Sequence, residues 1–424
     1  MPETLIVIGA GAAGFFTAVN AARMRPGLQV RILEKTDRPL RKVRVSGGGR
    51  CNVTHACFSI PEMAAAYPRG TSFVKKTFHQ FFTTDTVSWF EQRGVKLHTE
   101  PDGRMFPVSN SSQTIIDCLM REANSYGVEI LYNREIVEIN RDNSRWNVEC
   151  SNGEKLSSDF VVVACGGYPK SAMFDWLRCL GHSIEEPLPS LFTFNMPDNP
   201  ITKLMGVSIP DVQVRIAGKK LLQRAPVLIT HWGLSGPAIL KLSAWGAREL
   251  ANASDETGTG YRFAVILNWL PTDNENSLRE KMDELRFELA PVKMSARNPF
   301  GLPQRFWEYA LQQSGIAETT RWADLGGSAR NKLIKNICAQ ELKVSGKTTF
   351  KEEFVTSGGI KLSEVDVQTM GSKKAPGLYF AGEILDVDGI TGGYNFQHAW
   401  TSGFIAAKAI GLQARDVSLH VSYT

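Results

Sequence analysis

The run Leu5-Ile6-Val7-Ile8-Gly9-Ala10-Gly11-Ala12-Ala13-Gly14 stands at the start of the chain, and the fold is read from it. Four apolar residues in a row predict a short strand buried on both faces. Ala12 to Met24, rich in small residues, predicts a helix, and Val30–Glu34 predicts a second strand. Strand, helix, strand in that order implies a parallel sheet. The glycines fall between strand and helix. Gly9 permits the tight turn, Gly11 lets the backbone approach a pyrophosphate, and Gly14 lets helix and strand pack closely. The phosphates would then face backbone N–H groups at the positive end of the helix dipole. Glu34 lies 20 residues beyond Gly14, at the end of the second strand. Its carboxylate is placed to accept hydrogen bonds from an adenosine ribose and to repel a 2′-phosphate, which disfavours NADP there. Ala13 and Lys35 belong to the same candidate surface. This unit predicts a dinucleotide but does not by itself separate FAD from NAD.

Three further segments point to FAD. Lys42 to Asn52, KVRVSGGGRCN, exposes backbone amides at Gly47, Gly48 and Gly49, between Ser46 and Arg50-Cys51-Asn52. Lys42, Arg44 and Arg50 add positive charge for a diphosphate. Val161 to Tyr168, VVVACGGY, is a buried strand running through Ala164 into Gly166-Gly167, a second place where a sheet edge can meet a dinucleotide; Cys165 reads as packing. Gly377 to Gly403, GLYFAGEILDVDGITGGYNFQHAWTSG, ends a strand at Gly382-Glu383, carries Asp386 and Asp388, and starts a helix at Gly392-Gly393-Tyr394-Asn395. A carboxylate there can bind ribityl hydroxyls, and amides at the helix start can stabilise negative charge on a reduced flavin's N1–C2=O edge. Nicotinamide offers no equivalent group.

Composition sets the frame. At 424 residues two or three domains are expected, and 43% hydrophobic with 21% charged residues is the make-up of a globular enzyme. The net charge of +5 is spread along the chain, so it reads as a solvated surface and no nucleic-acid partner is expected. Seven cysteines, odd in number and without CxxC, suggest reduced thiols, no metal site and the cytoplasm. Leu5 to Ala22 is uncharged, but its glycines and Asn20 argue for a strand, turn and buried helix; no membrane span or export signal is expected.

Further along, Phe73–Gly94 and Gln113–Tyr126 predict helices, and Val128–Glu138 and Trp146–Cys150 predict strands, with a turn at Ser151-Asn152-Gly153. From Leu191 to about Leu267, short alternating segments broken by Pro and Gly predict an antiparallel sheet or small barrel, interrupted by a helix at Ile239–Ala251. Asn274 to about Ile337 has helical periodicity with a break at Asn298–Pro303. Strands return at Phe354-Val355-Thr356 and Gly377–Ala381, and a helix at Phe396–Ile410. The expected fold is α/β: a Rossmann-type FAD-binding domain made from both chain ends (1–190 and 350–424), around an inserted unit at 191–349. Within the insert, a β-barrel is expected at about 191–270 and 338–349, and a helical subdomain at about 271–337.

With these motifs in hand, the chain resembles the BaiN-like, aminoacetone-oxidase-type FAD-dependent oxidoreductases over nearly its whole length. The SGGGRCN loop, Gly103-Arg104-Met105-Phe106-Pro107, Thr230-His231-Trp232-Gly233-Leu234-Ser235-Gly236-Pro237, Val355-Thr356-Ser357-Gly358-Gly359 and the GLYFAGE…GGYN segment carry the resemblance. It implies an FAD-binding Rossmann-type domain with an inserted β-barrel and a small helical domain. It also implies that Val137 meets the adenine through its backbone. Two positions depart from the pattern: Cys165, where related flavoproteins often have Thr, and His55, where the family's loop usually reads N-x-T-N.

No second strand–GxGxxG–helix unit is present, so reduction is expected either directly by substrate or by a transient visit of NAD(P)H. His231 is a candidate proton donor, with a barrel-interior structural histidine as the competing reading. Arg50 is a candidate for holding an anionic substrate or a flavin oxygen, Tyr394 for touching substrate, and Cys51 for a redox thiol. His398 reads as structural. No Ser/His/Asp arrangement, P-loop or HExxH is apparent. The leading expectation is an FAD-dependent oxidoreductase of a small organic substrate working by hydride transfer at flavin N5, as an amine oxidase or an NAD(P)H-linked reductase of an unsaturated compound. The competing expectations are a flavin-dependent tRNA-modifying enzyme, a non-enzymatic flavin redox sensor, and an NAD dehydrogenase, the last of which leaves the C-terminal motif unexplained.

Overall fold

The computed structural model describes residues 2–142, 144–253, 260–348 and 355–412. The chain divides into two compact units, Met1–Leu188 with Val355–Thr424, and Pro189–Phe354.

In the first unit, Thr4–Ile8 forms the central strand of a five-stranded parallel sheet. Its neighbours are Gln29–Leu33 on one side and Phe160–Val163 on the other, with Glu129–Leu131 and Leu378–Phe380 at the edges. Leu5, Val7, Val161, Val162 and Val163 are fully buried, as continuous apolar strands in a doubly covered parallel sheet should be. Each such side chain contributes roughly 1.5–3 kcal/mol of burial. The helix Ala12–Met24 follows the first strand, and it packs against the last helix, Tyr394–Gly411. Close approach needs small residues on both: a Cβ on Gly403 would come within 2.9 Å of the Ala13 carbonyl oxygen. The C-terminal strand and helix thus complete the sheet and helix layer begun at the N-terminus.

Several elements depart from the sequence expectation. Val128–Glu138 is not one strand. Glu129–Leu131 joins the parallel sheet, whereas Ile136–Asp142 pairs with Arg145–Cys150 in a separate antiparallel sheet, and Asn133 between them has φ +56°. Phe73–Gly94 is two helices, Thr71–Thr77 and Thr83–Glu91; the second starts where the Asp85 carboxylate accepts from the Phe82 N–H. Arg41 begins a short helical turn, and the irregular backbone is confined to Ser46 onward. The last helix begins at Tyr394, within the expected Gly392–Asn395 start, and runs to Gly411. Thr356–Ile360 is a strand, while the expected start at Phe354 lies outside the described residues.

The second unit holds a seven-stranded antiparallel sheet. In spatial order its strands are Gln340–Ser345, Arg262–Asn268, Ser208–Ile216, Leu222–Thr230, Gly233–Ser235, Thr193–Asn195 and Lys347–Thr348. The two edge strands are separated in the chain by Gly346 alone, so the sheet curls back on itself. Helix Pro237–Ala251 packs against it. Helices Glu275–Glu288, Gln304–Gln313 and Gly327–Cys338 share the same apolar core.

Candidate functional site

At the N-terminal turn the three glycines do three different jobs. Gly9 has φ +106°, and a Cβ there would sit 2.6 Å from the Ala164 carbonyl oxygen of the adjacent strand. A Cβ on Gly14 would sit 1.9 Å from the Gly9 carbonyl oxygen, so helix and turn touch backbone to backbone. A Cβ on Gly11 would meet nothing within 4 Å, and no side chain caps the helix that Gly11 begins. Open space in front of uncapped first-turn amides suits a phosphate. Glu34 stands at the same opening: one carboxylate oxygen accepts from the Ala10 N–H at 3.0 Å, and the other accepts from the Thr36 N–H and hydroxyl at 3.0 and 2.8 Å.

The glycine loop lies alongside. Gly47, Gly48 and Gly49 have φ of +59°, +69° and +84°, and Cys51 follows at +62°. A Cβ on Gly48, Gly49 or Gly166 would meet nothing within 4 Å. Lys42 Nζ donates to a Glu383 carboxylate oxygen at 2.6 Å, and the other Glu383 oxygen accepts from the Thr356 N–H at 2.8 Å. Buried in the same strand, the Thr356 and Ser357 hydroxyls have no partner among the described residues. Open glycine amides, an uncapped helix start and unpaired hydroxyls together fit a long ligand rich in hydrogen-bonding groups, as FAD is.

The two ends of the chain meet at the start of the last helix. Gly393 has φ +96°, and a Cβ there would come within 2.5 Å of the Thr54 carbonyl carbon. With its amide oxygen turned toward Gly393, Asn52 accepts from the Gly393 N–H and donates to the Thr54 carbonyl, both at 3.0 Å. The Thr54 hydroxyl donates to Gln397 Oε1 at 2.6 Å, and Trp400 Nε1 donates to the Val53 carbonyl at 2.9 Å. Beside this junction lies an open cleft of about 630 Å³ lined by His55, Ala56, Cys57, Phe58, Ser59, Glu62 and Tyr394. The His55 and Tyr394 rings are stacked, with centroids 4.7 Å apart and planes 23° apart.

A family model described as "HI0933-like protein Rossmann domain" matches residues 3–409. The chain belongs to the HI0933-like Rossmann family. It is an FAD-dependent oxidoreductase. Among its relatives, a protein of Escherichia coli K12 named ribosomal RNA dihydrouridine synthase is 30% identical over 95% of this chain and 96% of its own length. A Clostridium scindens protein named 3-dehydro-bile acid delta(4,6)-reductase is 26% identical over 95% of this chain and 98% of its own. In fold, the chain is similar to a 3-ketosteroid delta1-dehydrogenase of Sterolibacterium denitrificans, with TM-score 0.52 and 14% identity over 96% of this chain and 99% of that one.

Not every candidate residue of this HI0933-like chain faces open space. Arg50 is engaged within the protein: it pairs with Glu100 at 2.6 Å, donates to the Gly47 carbonyl and stacks 4.0 Å over Phe106. Arg44 donates to Gln113. Asp388 is fully buried against Arg69, and Asp386 is half-buried in the same loop. The Asn395 side chain closes its own loop, accepting from the Gly389 N–H and donating to the Gly389 carbonyl. Lys35 is exposed, and Ala13 packs against Gly382. Val137 is skipped by a bulge between Ile136 and Glu138 and is 49% exposed, which leaves its backbone outside the ladder.

Burial pushes the Cys51 thiol up to about 12 and the Cys165 thiol up to about 11, which makes both poor thiolates. His398 is buried, and desolvation holds its pKa down at about 4. His231 belongs to the second unit, exposed in the turn between Leu222–Thr230 and Gly233–Ser235 and packed edge-on against Trp232, so it is not a buried histidine.

The sequence reading passed over His55 as a contact of Tyr394, Gln397 as a buried polar bridge, and the Thr356-Ser357 hydroxyls. Only the last had a local signal, the quoted Thr-Ser-Gly-Gly run. A Ser372–His182–Glu364 line also exists, with contacts of 3.0 and 3.2 Å. The Ser372 oxygen already accepts from the Lys374 and Ala375 N–H groups, so it is a loop brace and a poor nucleophile.

Proposed function

We propose that this protein is a flavin-dependent reductase that saturates a carbon–carbon double bond conjugated to a carbonyl, with NAD(P)H as electron donor. The single observation that carries the reading is what two relatives have in common. Making dihydrouridine and reducing the Δ4,6 bonds of a 3-dehydro-bile acid both add hydrogen across such a bond, on otherwise unlike substrates. When bound, FAD supplies the hydride from N5 to the carbon β to the carbonyl.

The chain's own residues bind and orient. The amides at Gly11 to Gly14 and in the Gly47–Gly49 loop hold the diphosphate, Glu34 the adenosine ribose, and Val137 the adenine edge. Glu383, steadied by Lys42 and the Thr356 N–H, faces the ribityl chain. The start of the last helix at Gly393-Tyr394-Asn395 stabilises charge on the flavin edge.

A uridine in RNA is the second substrate to carry into assay, because the 30% identical relative is named for ribosomal RNA. The scattered charge that argued against a nucleic-acid partner does not outweigh that name.

The experiment is anaerobic mixing of the yellow protein with NADH or NADPH. A 2-enone or a uridine-containing ribosomal RNA fragment is then added. Bleaching by the nicotinamide, return of the yellow colour on the acceptor, and a product heavier by two hydrogens are expected. Bleaching by an amine, with peroxide on readmitting air, would make it an oxidase and overturn the reading.

A further inference from the structure

We propose that Tyr394 donates the proton that completes the reduction, and that His55 is the positioning residue that holds its phenol in the cleft. The proposal rests on the reductase reading. Hydride goes to the β-carbon and the Tyr394 Oη proton to the α-carbon. The phenolate then regains a proton from water through the open cleft, so each turnover consumes one NAD(P)H and one proton.

Tyr394 is clamped on every side but that one. Its ring stacks on His55, whose Nδ1–H donates to the Gly392 carbonyl at 3.0 Å. Gly103 backs the His55 ring so closely that a Cβ there would lie 2.5 Å from Nε2. Tyr67 meets the Tyr394 ring edge-on at 6.1 Å and donates its hydroxyl to the Tyr394 carbonyl at 2.6 Å. Cβ atoms on Gly389 and Gly392 would fall 2.7 and 3.0 Å from Tyr394 side-chain atoms. The ring therefore has one position, and its remaining 9% exposure is where the residue lines the cleft.

No described residue hydrogen-bonds the Tyr394 hydroxyl, in a molecule where the buried Tyr67 hydroxyl does have a partner. Burial, with the Cys57 thiol and the Asp102 carboxylate as smaller contributors, pushes the Tyr394 phenol up to about 12, so it carries its proton at neutral pH. Glu62, Ser59, Cys57 and His55 are the other polar groups of the cleft. A cleft of about 630 Å³ is within the size range of small-molecule sites.

The test uses the holoprotein with 2-cyclohexenone and a uridine-containing oligoribonucleotide as probes. Tyr394→Phe should keep its FAD, its rate of bleaching by NAD(P)H and its equilibrium affinity for the probe, read from the flavin absorbance difference. It should lose about 100-fold or more in the rate at which the probe restores the yellow colour. Replacing Tyr394 with 3-fluorotyrosine, a more acidic phenol of nearly the same shape, should move the alkaline limb of that step to lower pH. His55→Ala should slow the same step and broaden its pH profile, and His55→Phe, which keeps the stack, should restore part of the rate.

Unchanged reoxidation in Tyr394→Phe, or an unmoved alkaline limb with fluorotyrosine, would overturn the proton assignment alone. Loss of FAD or of NAD(P)H bleaching in Tyr394→Phe would overturn it by showing that the ring is structural. If the wild-type protein is bleached by NAD(P)H but neither probe restores its colour, the reductase reading falls, and this proposal with it.

Discussion

The two glycine-rich helix starts of this protein solve one problem in opposite ways. At Gly9–Gly14 the backbone does most of the work: Gly9 and Gly14 press on neighbouring carbonyls, and the Glu34 carboxylate accepts from the Ala10 N–H at the rim. At Gly392–Asn395 the backbone is held by side chains from far along the chain, with Asn52, His55 and Tyr67 each hydrogen-bonded to it. A turn built of backbone has no room for a Cβ where its glycines touch carbonyls, at Gly9 and Gly14. A site built of side chains is adjustable, and this one carries an imidazole and two phenols, from His55, Tyr67 and Tyr394.

The largest effect is expected at the backbone-built turn. Gly14→Ala puts a Cβ 1.9 Å from a carbonyl oxygen that has nowhere to go, and the protein should fail to accumulate in folded form. Normal yield and melting temperature would show that the turn is softer than this contrast requires. Next is Asp388→Asn. Breaking a buried ion pair by removing one charge costs about 3–5 kcal/mol, so a large drop in denaturant midpoint is expected; a drop no larger than that of an exposed pair would show that water reaches Arg69.

The third prediction is a pH dependence contributed by the last helix. His398 titrates at about 4 in the folded protein, against an ordinary value of 6.5. Above pH 6.5 both states hold it neutral and its contribution is complete. Between 6.5 and 4 the unfolded chain takes up a proton that the folded one refuses, and roughly 3 kcal/mol of stability is lost. His398→Leu should make the loss of stability over that window shallower, as read by chemical denaturation at several pH values; an unchanged slope would assign the loss elsewhere. The smallest effect belongs to Lys42→Met. The Lys42–Glu383 bridge is 45% exposed on the lysine side, so stability should fall by less than about 1 kcal/mol, while FAD affinity weakens several-fold.

The same contrast explains what could be read from the sequence. The N-terminal turn is a local device, with strand, three glycines, helix and an acidic residue inside 30 positions, and its physics is legible in order. The C-terminal Gly-Gly-Tyr-Asn could be recognised as a helix start, but not the His55 ring that stacks on its tyrosine 339 positions away, nor the Glu100 that occupies Arg50. Those pairings follow from how the small sheet of Thr54–His55, Arg104–Pro107 and Leu97–Thr99 folds under the loop. No periodicity in strands of two to four residues reveals that. Val128–Glu138 carries strand-forming residues at both ends, but Asn133-Arg134-Glu135 between them marks where the chain leaves one sheet for the other.

The central claim is that one FAD spans both chain ends. It is tested most directly by titrating FAD into apoprotein of the wild type, Gly11→Val and Glu383→Ala, and measuring Kd. A Cβ at Gly11 meets no protein atom within 4 Å, so Gly11→Val should fold yet lose about 100-fold or more in affinity, as two charge-assisted bonds at about 1.5–3 kcal/mol each are lost. Glu383→Ala should weaken binding as well. Wild-type Kd in Glu383→Ala, with Gly11→Val impaired, would contradict the account: the dinucleotide would be held at the N-terminal turn alone.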